Sequence, residues 1–521
     1  MKRFAILMAL LLLIVGSAFA QDEKVLVVGH AESTDSLDPA RGYTQTTGII
    51  NHVTYETLVT FPSADASAIL PLLATDWTIS EDGLTYTFNL RAGVTFTNGD
   101  ALTADDVVFS VMRLKYVGGS PSFLTANIAS VTADDADTVT FTLSAVDPSF
   151  LSVLANNAFG ITNDAQVTEN GGSAAEDAAT ADAAESYLNG TSAGTGPYML
   201  EAWEPLVQTV LVRNPAYWGT APYFDRIIIT NIPEAATQKV ALESGEIDIA
   251  LDLTADQIPS LQSNADVAIA STPGNIVHFI LMNADPEIGG PVSNPLVTKA
   301  IRLALDYDGY AALWGGITPG TVMAVGQQYA FGPDKALARD LDAARALLAE
   351  AGFADGFDIT LQYPTFTFQG VIMDTNAQKI QADLAEIGVN VTLEPGELGV
   401  SLEQYRSGQQ GFAYWFWGPD VLDPIDMLAF VPGGKVANER ALWTDERASG
   451  DILALRDRAR VATDPAEREQ LFTDIQTYMQ ESGAFAPFLQ PNVQTAFAAD
   501  LQGYVWHPQW LIDLAILSSA E

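Results

Sequence analysis

The 521-residue chain contains no cysteine. Disulfides, thiolate metal sites, cysteine nucleophiles and a lipid-modified cysteine anchor are therefore excluded, and the fold must be held by its core alone. Basic residues are scarce, with 24 Lys and Arg against 65 Asp and Glu, for a formal charge of −41. A field of that sign repels phosphate backbones and anionic lipid, which argues against nucleic acid or a membrane surface as partner. The acids are spread along the whole chain, a pattern that fits a solvated surface better than one acidic cleft. Histidine is limited to His30, His52, His278 and His507, and none is spaced from another as a local metal pair would be. Absent too are G-x-x-x-x-G-K-S/T, G-x-G-x-x-G and H-E-x-x-H, the local patterns of phosphate loops, dinucleotide sites and zinc peptidases. The reading is a protein with no catalytic residue, no metal and no cofactor.

Long apolar runs are absent after the first. Ala5 to Val15 follows Lys2 and Arg3 and precedes Ala18-Phe19-Ala20, the arrangement of a secretory signal over residues 1–20 with cleavage after Ala20. The run is too short and wrongly flanked for a permanent span, so an exported, unanchored protein is expected. What remains has the length of about two to four domains and is able to bury large cores.

Strands and helices alternate along it. Leu84, Tyr86, Phe88 and Leu90, and later Val139, Phe141 and Leu143, have the period of half-buried strands. Between them Thr103 and Asp106 form a capping box before Val107, Val108, Val111 and Met112. Residues 163–196, rich in Ala, Gly, Asp and Glu, read as a surface excursion that is partly helical at most. "FDRIIITNIP" predicts a strand, a helix follows from Glu234 to a stop at Gly245, and Ile247, Ile249 and Leu251 predict another strand. A helix over Leu341 to Ala351, a strand over Phe357 to Tyr363, a helix capped by Thr375 and Gln378, and a strand over Val389 to Leu393 form an α/β unit. That order implies a parallel pair with a right-handed crossover, and open sheets of this type bind ligands beyond the carboxyl ends of their strands.

The densest aromatic stretch is "FAYWFWGPDVLDP", Phe412 to Pro424. As a strand it points Phe412, Tyr414 and Phe416 one way and Ala413, Trp415 and Trp417 the other. One face belongs to the core; for the tryptophan face, core packing and cleft lining both stand open, since a strand covered on both sides is apolar on both. Gly418-Pro419 ends the strand and sets Asp420 just beyond it. Asp420 and Asp423 also have the makings of a glycosidase pair, although such spacing is common.

The chain resembles the family of extracytoplasmic solute-binding proteins, family 5, that feed peptide- and nickel-type ABC importers. The likeness runs from about Val25 onward through "DSLDPA", "TYETLVTF", "GTGPYMLEAW", "LVRNPAYWG", "KVALESGEIDIA", "AIRLALDYDGY" and "AQKIQADLAEIGVNVTLE", in that order. It implies a two-lobed α/β periplasmic-binding-protein fold. Lobe 1 would comprise residues 21–61, 195–283 and 490–521, with an additional α+β subdomain over 62–194, and lobe 2 residues 284–489, so that the chain crosses near Ala284 and Gln490. It further implies a monomeric periplasmic receptor that encloses a small solute, most often a peptide, by hinge closure and delivers it to a membrane permease. The W-x-x-D-x-x-D-P motif of peptide-binding relatives falls on Trp417, Asp420, Asp423 and Pro424, which makes Asp420 the partner of a ligand ammonium, with Trp417 and Trp415 beside it. The sequence departs from dipeptide-binding relatives in "QYPTFTFQGVIMDTNAQK", which has no arginine for a ligand carboxylate. Oligosaccharides, heme and nickel complexes are also bound in this family, and a secreted hydrolase or a sensor without transport are the rival readings.

Overall fold

A computed structural model describes residues 23–448 and 450–520. The expected leader, residues 1–20, and its cleavage position lie outside the described residues. Two open mixed sheets carry the architecture. The first has seven strands in the order Val267–Pro273, Asn492–Ala498, Ile249–Ala250, Val25–His30, Arg226–Asn231, Gln208–Arg213 and Tyr198–Glu204. Its central pair is parallel, with Leu26 opposite Ile227 and Val28 opposite Ile229, and these side chains enter one core. The strand expected through Ile247 and Leu251 narrows to Ile249–Ala250, because its neighbours pair with it over two residues only. Gly245, at φ 74°, closes the preceding helix Ala235–Ser244 in a left-handed turn that a side chain would strain.

The second sheet has five strands in the order Val389–Gly396, Phe357–Pro364, Phe412–Trp417, Val277–Met282 and Phe485–Leu489. The expected α/β unit is present: Phe357 lies opposite Val389 in a parallel pair joined through the helix Met373–Ala385. That helix starts before the Thr375 cap read from sequence. A short hairpin, Thr367–Phe368 with Val371–Ile372, runs straight into it, and buried Met373 anchors its first turn.

The crossing expected near Ala284 occurs earlier. Val277–Met282 pairs antiparallel with the aromatic strand, from Val277 opposite Trp417 to Met282 opposite Phe412, so the chain passes between sheets at residues 274–276. All six of its residues are buried, and a strand apolar on both faces finds both faces covered only inside such a sheet. The return runs through Gln490 and Pro491, between Phe485–Leu489 and Asn492–Ala498. Fully buried Gln490 ties the two crossings together: its Nε2 donates to the Gly274 and Val325 carbonyls at 2.6 and 2.9 Å, and the Pro491 carbonyl accepts from the Gly274 N–H at 2.9 Å.

Beside the first sheet stands a four-stranded antiparallel sheet, in the order Ala74–Ile79, Thr85–Leu90, Thr138–Leu143 and Ile128–Ala133. Phe88, Phe141 and Phe150 meet edge to face in its core, and the helix Ala104–Val117 starts at the expected capping box, with the Thr103 N–H donating to Asp106 at 2.9 Å. Residues 163–196 are the partly helical surface segment read from their composition, with short helices at Asp164–Glu169, Ala178–Ala181 and Glu185–Leu188, but they are pinned by contacts that composition does not reveal. Arg113 donates to both Asp38 oxygens at 2.6 Å and, at 2.8 and 2.9 Å, to Asp182, whose side chain has no exposed surface. Val167, Ala184 and Leu188 bury against Phe109, and the small residues around them let the segment approach closely enough for these contacts.

Candidate functional site

The aromatic strand lies at the centre of the second sheet, with a core on each side. Phe412 and Tyr414 enter the core formed with Ile280, Ile301 and Leu384, and Ala413 and Trp415 enter the opposite core with Phe279, Phe430 and Phe485. Only the last turn of the pleat emerges: Phe416 is half-buried and, with Gly418, Pro419 and Asp420, faces a cavity of about 400 Å³.

The cavity opens between the two sheets. The first-sheet side contributes Gly42 to Gln45, Thr47, Gly48 and Asn51, from the start of the helix Gln45–Thr54, together with Asn156, Asn157, Pro508 and Gln509. This wall is held locally. The Thr44 hydroxyl accepts from the Thr47 N–H as an N-cap, and the Asn157 Nδ2 donates to the Gly48 carbonyl at 2.9 Å. Asn275 and Ile276, in the crossing itself, form the floor, with the Asn275 Nδ2 donating to the Pro508 carbonyl at 3.2 Å. On the other wall Phe416 stacks on Phe368 with ring centroids 4.1 Å apart. Phe368 comes from the hairpin at 367–372, whose turn residues Gln369 and Gly370 both have positive φ, the geometry that matches the twist of a two-residue hairpin. Its tip reaches the first lobe, where a Cβ on Gly370 would lie 3.6 Å from Thr254 Cγ2.

Asp420 is the one carboxylate on this lining, and no guanidinium or ammonium lies within 4 Å of it among the described residues. Desolvation raises its pKa above the ordinary carboxylate value, opposed by the more distant charges of Arg440 and Lys435. Behind it, desolvation and then the Asp420 charge push the Asp426 carboxyl up to about 7. Across the cavity, desolvation followed by the Asp420 charge raises the Tyr43 hydroxyl, and a hydrogen bond with Asn156 opposes the rise.

The two tryptophans read as a cleft wall stand elsewhere. Trp415 is 3% exposed, stacks on Tyr405 at 4.4 Å and donates its Nε1 proton to Gln410 at 2.7 Å. Trp417 donates to Asp426 at 3.2 Å and packs edge-on against Phe430, away from the cavity lining. Trp415 is core because helices cover that side of the sheet over the middle of the strand, whereas Trp417, at the strand's end, is only partly buried against the same cluster. Asp423, the second acid of the glycosidase pair, is engaged by Arg468 at 2.6 Å and caps the following turn by accepting from the Ile425 N–H. Sequence reading missed Tyr43, Asn51, Asn156, Asn275, Phe368 and Gln509, which come from distant parts of the chain. For Phe368 a signal existed in "PTFTFQG", an alternating strand running into a Gln-Gly turn.

Two open sheets joined by paired crossings, with a lined cleft between them, define a two-lobed binding protein of the periplasmic type. Residues 68–438 match the Bacterial extracellular solute-binding proteins, family 5 Middle, and the chain belongs to this family. It is 28% identical over 505 residues to the probable D,D-dipeptide-binding periplasmic protein DdpA of Escherichia coli K12, covering 94% of this chain and 93% of that one. It is also 28% identical to the di/tripeptide-binding protein 2 of Pseudomonas aeruginosa, covering 96% of each. Among solved structures it is similar to the ABC transporter-associated periplasmic binding protein DppA from Helicobacter pylori in complex with the peptide STSA, with a TM-score of 0.75, 25% identity and coverage of 96% of this chain and 99% of that one. Family and relatives are binding proteins. No helix among the described residues is long and apolar enough to cross a membrane.

Proposed function

We propose that this protein is a monomeric periplasmic receptor that captures a small peptide between its lobes and hands it, chemically unchanged, to the permease of an ABC importer. The observation that carries this reading is Asp420, a carboxylate without a cation beside it, on the lining of a cleft whose walls come from both lobes. A desolvated carboxylate is stabilised by a charged donor, and the ammonium at a peptide's N-terminus supplies one. The Phe416–Phe368 stack offers an apolar wall for a side chain, and the amides of Asn156, Asn157, Asn275 and Gln509 suit peptide N–H and C=O groups. We place the lobe boundaries at residues 274–276 and 490–491, where the chain crosses twice and where closure would bend it. The peptide named for several relatives supports the same ligand class.

The hydrolase reading loses its second acid to the Arg468 ion pair, and sugar stacking on the tryptophan face loses Trp415 to the core. Native mass spectrometry of the purified protein, followed by calorimetric titration with peptide pools, cello-oligosaccharides and nickel chelates, tests the proposal. A retained or titrating peptide is expected; binding of sugar or chelate without any peptide overturns it.

A further inference from the structure

We infer that the cleft selects solutes carrying an amine but no free anionic group, so that its preferred peptides end in a carboxamide, an ester or a closed ring and not in a carboxylate. The inference rests on the peptide reading above and concerns the end of the ligand remote from Asp420.

Charge on the lining carries it. Among the described residues, Asp420 is the only acid on the lining, and none of the lining residues is Lys, Arg or His. The cations that act on Asp420 from a distance are held outside: the Arg440 guanidinium lies 4.7 Å over the Tyr405 ring and 5.5 Å from the Trp417 ring, within the second-lobe core, and Lys435 is likewise absent from the lining. On the first-lobe wall and floor the polar groups are neutral amides and hydroxyls: Gln45, Thr47, Asn51, Asn156, Asn275 and Gln509.

Size makes this composition selective. An extended tripeptide spans about 10 Å, and a cavity of about 400 Å³ is of a size to take such a molecule. A carboxylate there would be partly desolvated with no cation on the lining to meet it, and it would share the cavity with the Asp420 charge. A carboxamide in the same place donates two N–H groups and accepts at its oxygen, which the facing Asn and Gln side chains answer without charge. The hairpin at 367–372 belongs to the second wall and brings Phe368 to the cavity, with Gln369 and Gly370 at its turn and no cation among its residues.

The test uses the full mature chain, freed of retained ligand, and two tripeptide mixtures of the same sequences, one as free acids and one as carboxamides. After removal of unbound material, native mass spectrometry counts the retained species. Carboxamides are expected to outnumber acids at least tenfold, and Gln509→Lys, which adds a cation to the lining, is expected to narrow that ratio. Equal retention, or an excess of acids, overturns the inference and leaves the peptide reading standing. Retention of neither mixture overturns both. Retention that survives Asp420→Asn unchanged assigns the amine anchor elsewhere and overturns the inference as well.

Discussion

Asp420 and Asp426 share one desolvated corner, and their chemistry separates binding from stability at the level of single residues. Asp420 is partly exposed and makes no ion pair among the described residues, so Asp420→Asn should leave the melting temperature within a degree or two. Affinity for an amine-bearing ligand should fall about tenfold to a hundredfold, the worth of one hydrogen bond to a charged group at about 1.5–3 kcal/mol. Calorimetric titration beside a thermal melt reads both; a collapse in melting with affinity intact would make Asp420 structural. Asp426 acts through pH. Its carboxyl is raised to about 7 by desolvation and then by Asp420, so the folded chain holds a proton that the unfolded chain has released above about pH 4. Stability contributed by this group is therefore present at low pH and lost as pH rises from about 4 to 7. Asp426→Asn keeps an acceptor for the Trp417 N–H and removes the titration. The melting temperature of the variant minus that of the wild type should increase from pH 4 to pH 7 and level off above about pH 8. A difference flat across that range would contradict the raised carboxyl.

Among elements, the aromatic strand shows how adjacent rings of one sequence motif take different work. Trp415 packs between Tyr405 and the Gln410 amide, and Trp415→Ala should cost about 3–5 kcal/mol of stability, the usual range for emptying a buried indole site. Phe416→Ala lies at the end of the same strand, half-buried against Phe368, and should weaken ligand binding with a smaller loss in melting. Denaturant titration and calorimetry on the two variants distinguish the roles. The segment 163–196 gives the second element-scale case. Burial would raise Asp182, but the hydrogen bonds and charge of Arg113 outweigh it and hold the carboxyl below its usual value. Asp182→Ala leaves Arg113 with half its partners in a buried place, a change worth about 3–5 kcal/mol. Amide exchange across residues 171–190 should accelerate before the rest of the subdomain responds; uniform exchange would mean that the ion cluster does not pin the segment.

For the whole molecule the two lobes meet through more than the hinge. Leu422, from the same motif as Asp420, packs into the first-lobe core cluster that contains Phe61 and Trp510, and the hairpin tip at Gly370 reaches Thr254. These contacts cross the cleft, so they stabilise the closed arrangement that a ligand favours. Leu422→Ala should lower ligand affinity by at least tenfold, since a buried Leu-to-Ala change costs about 2 kcal/mol or more. The melting of the ligand-free protein should respond less. In small-angle scattering the wild type should contract on binding ligand and the variant should need more ligand to do so; a radius of gyration unchanged by saturating ligand would argue against hinge closure.

Periodicity, caps and chain chemistry belong to the sequence itself: the strands at Thr85–Leu90 and Phe412–Trp417, the capping box at Thr103, the parallel α/β unit and the absence of thiol chemistry all follow from local spacing and composition. The place of Asp420, three residues past a strand end, was legible for the same reason. Which face of that strand is buried was not, because a central strand is apolar on both faces and only the helices packed on each side decide. The sheet that takes Val277–Met282, the docking of residues 163–196 through Arg113, and the convergence of Tyr43, Asn275, Phe368 and Gln509 on one cavity depend on contacts between residues far apart in the chain. Tertiary structure alone decides these, since a cavity's lining is a property of how elements meet and not of any one of them.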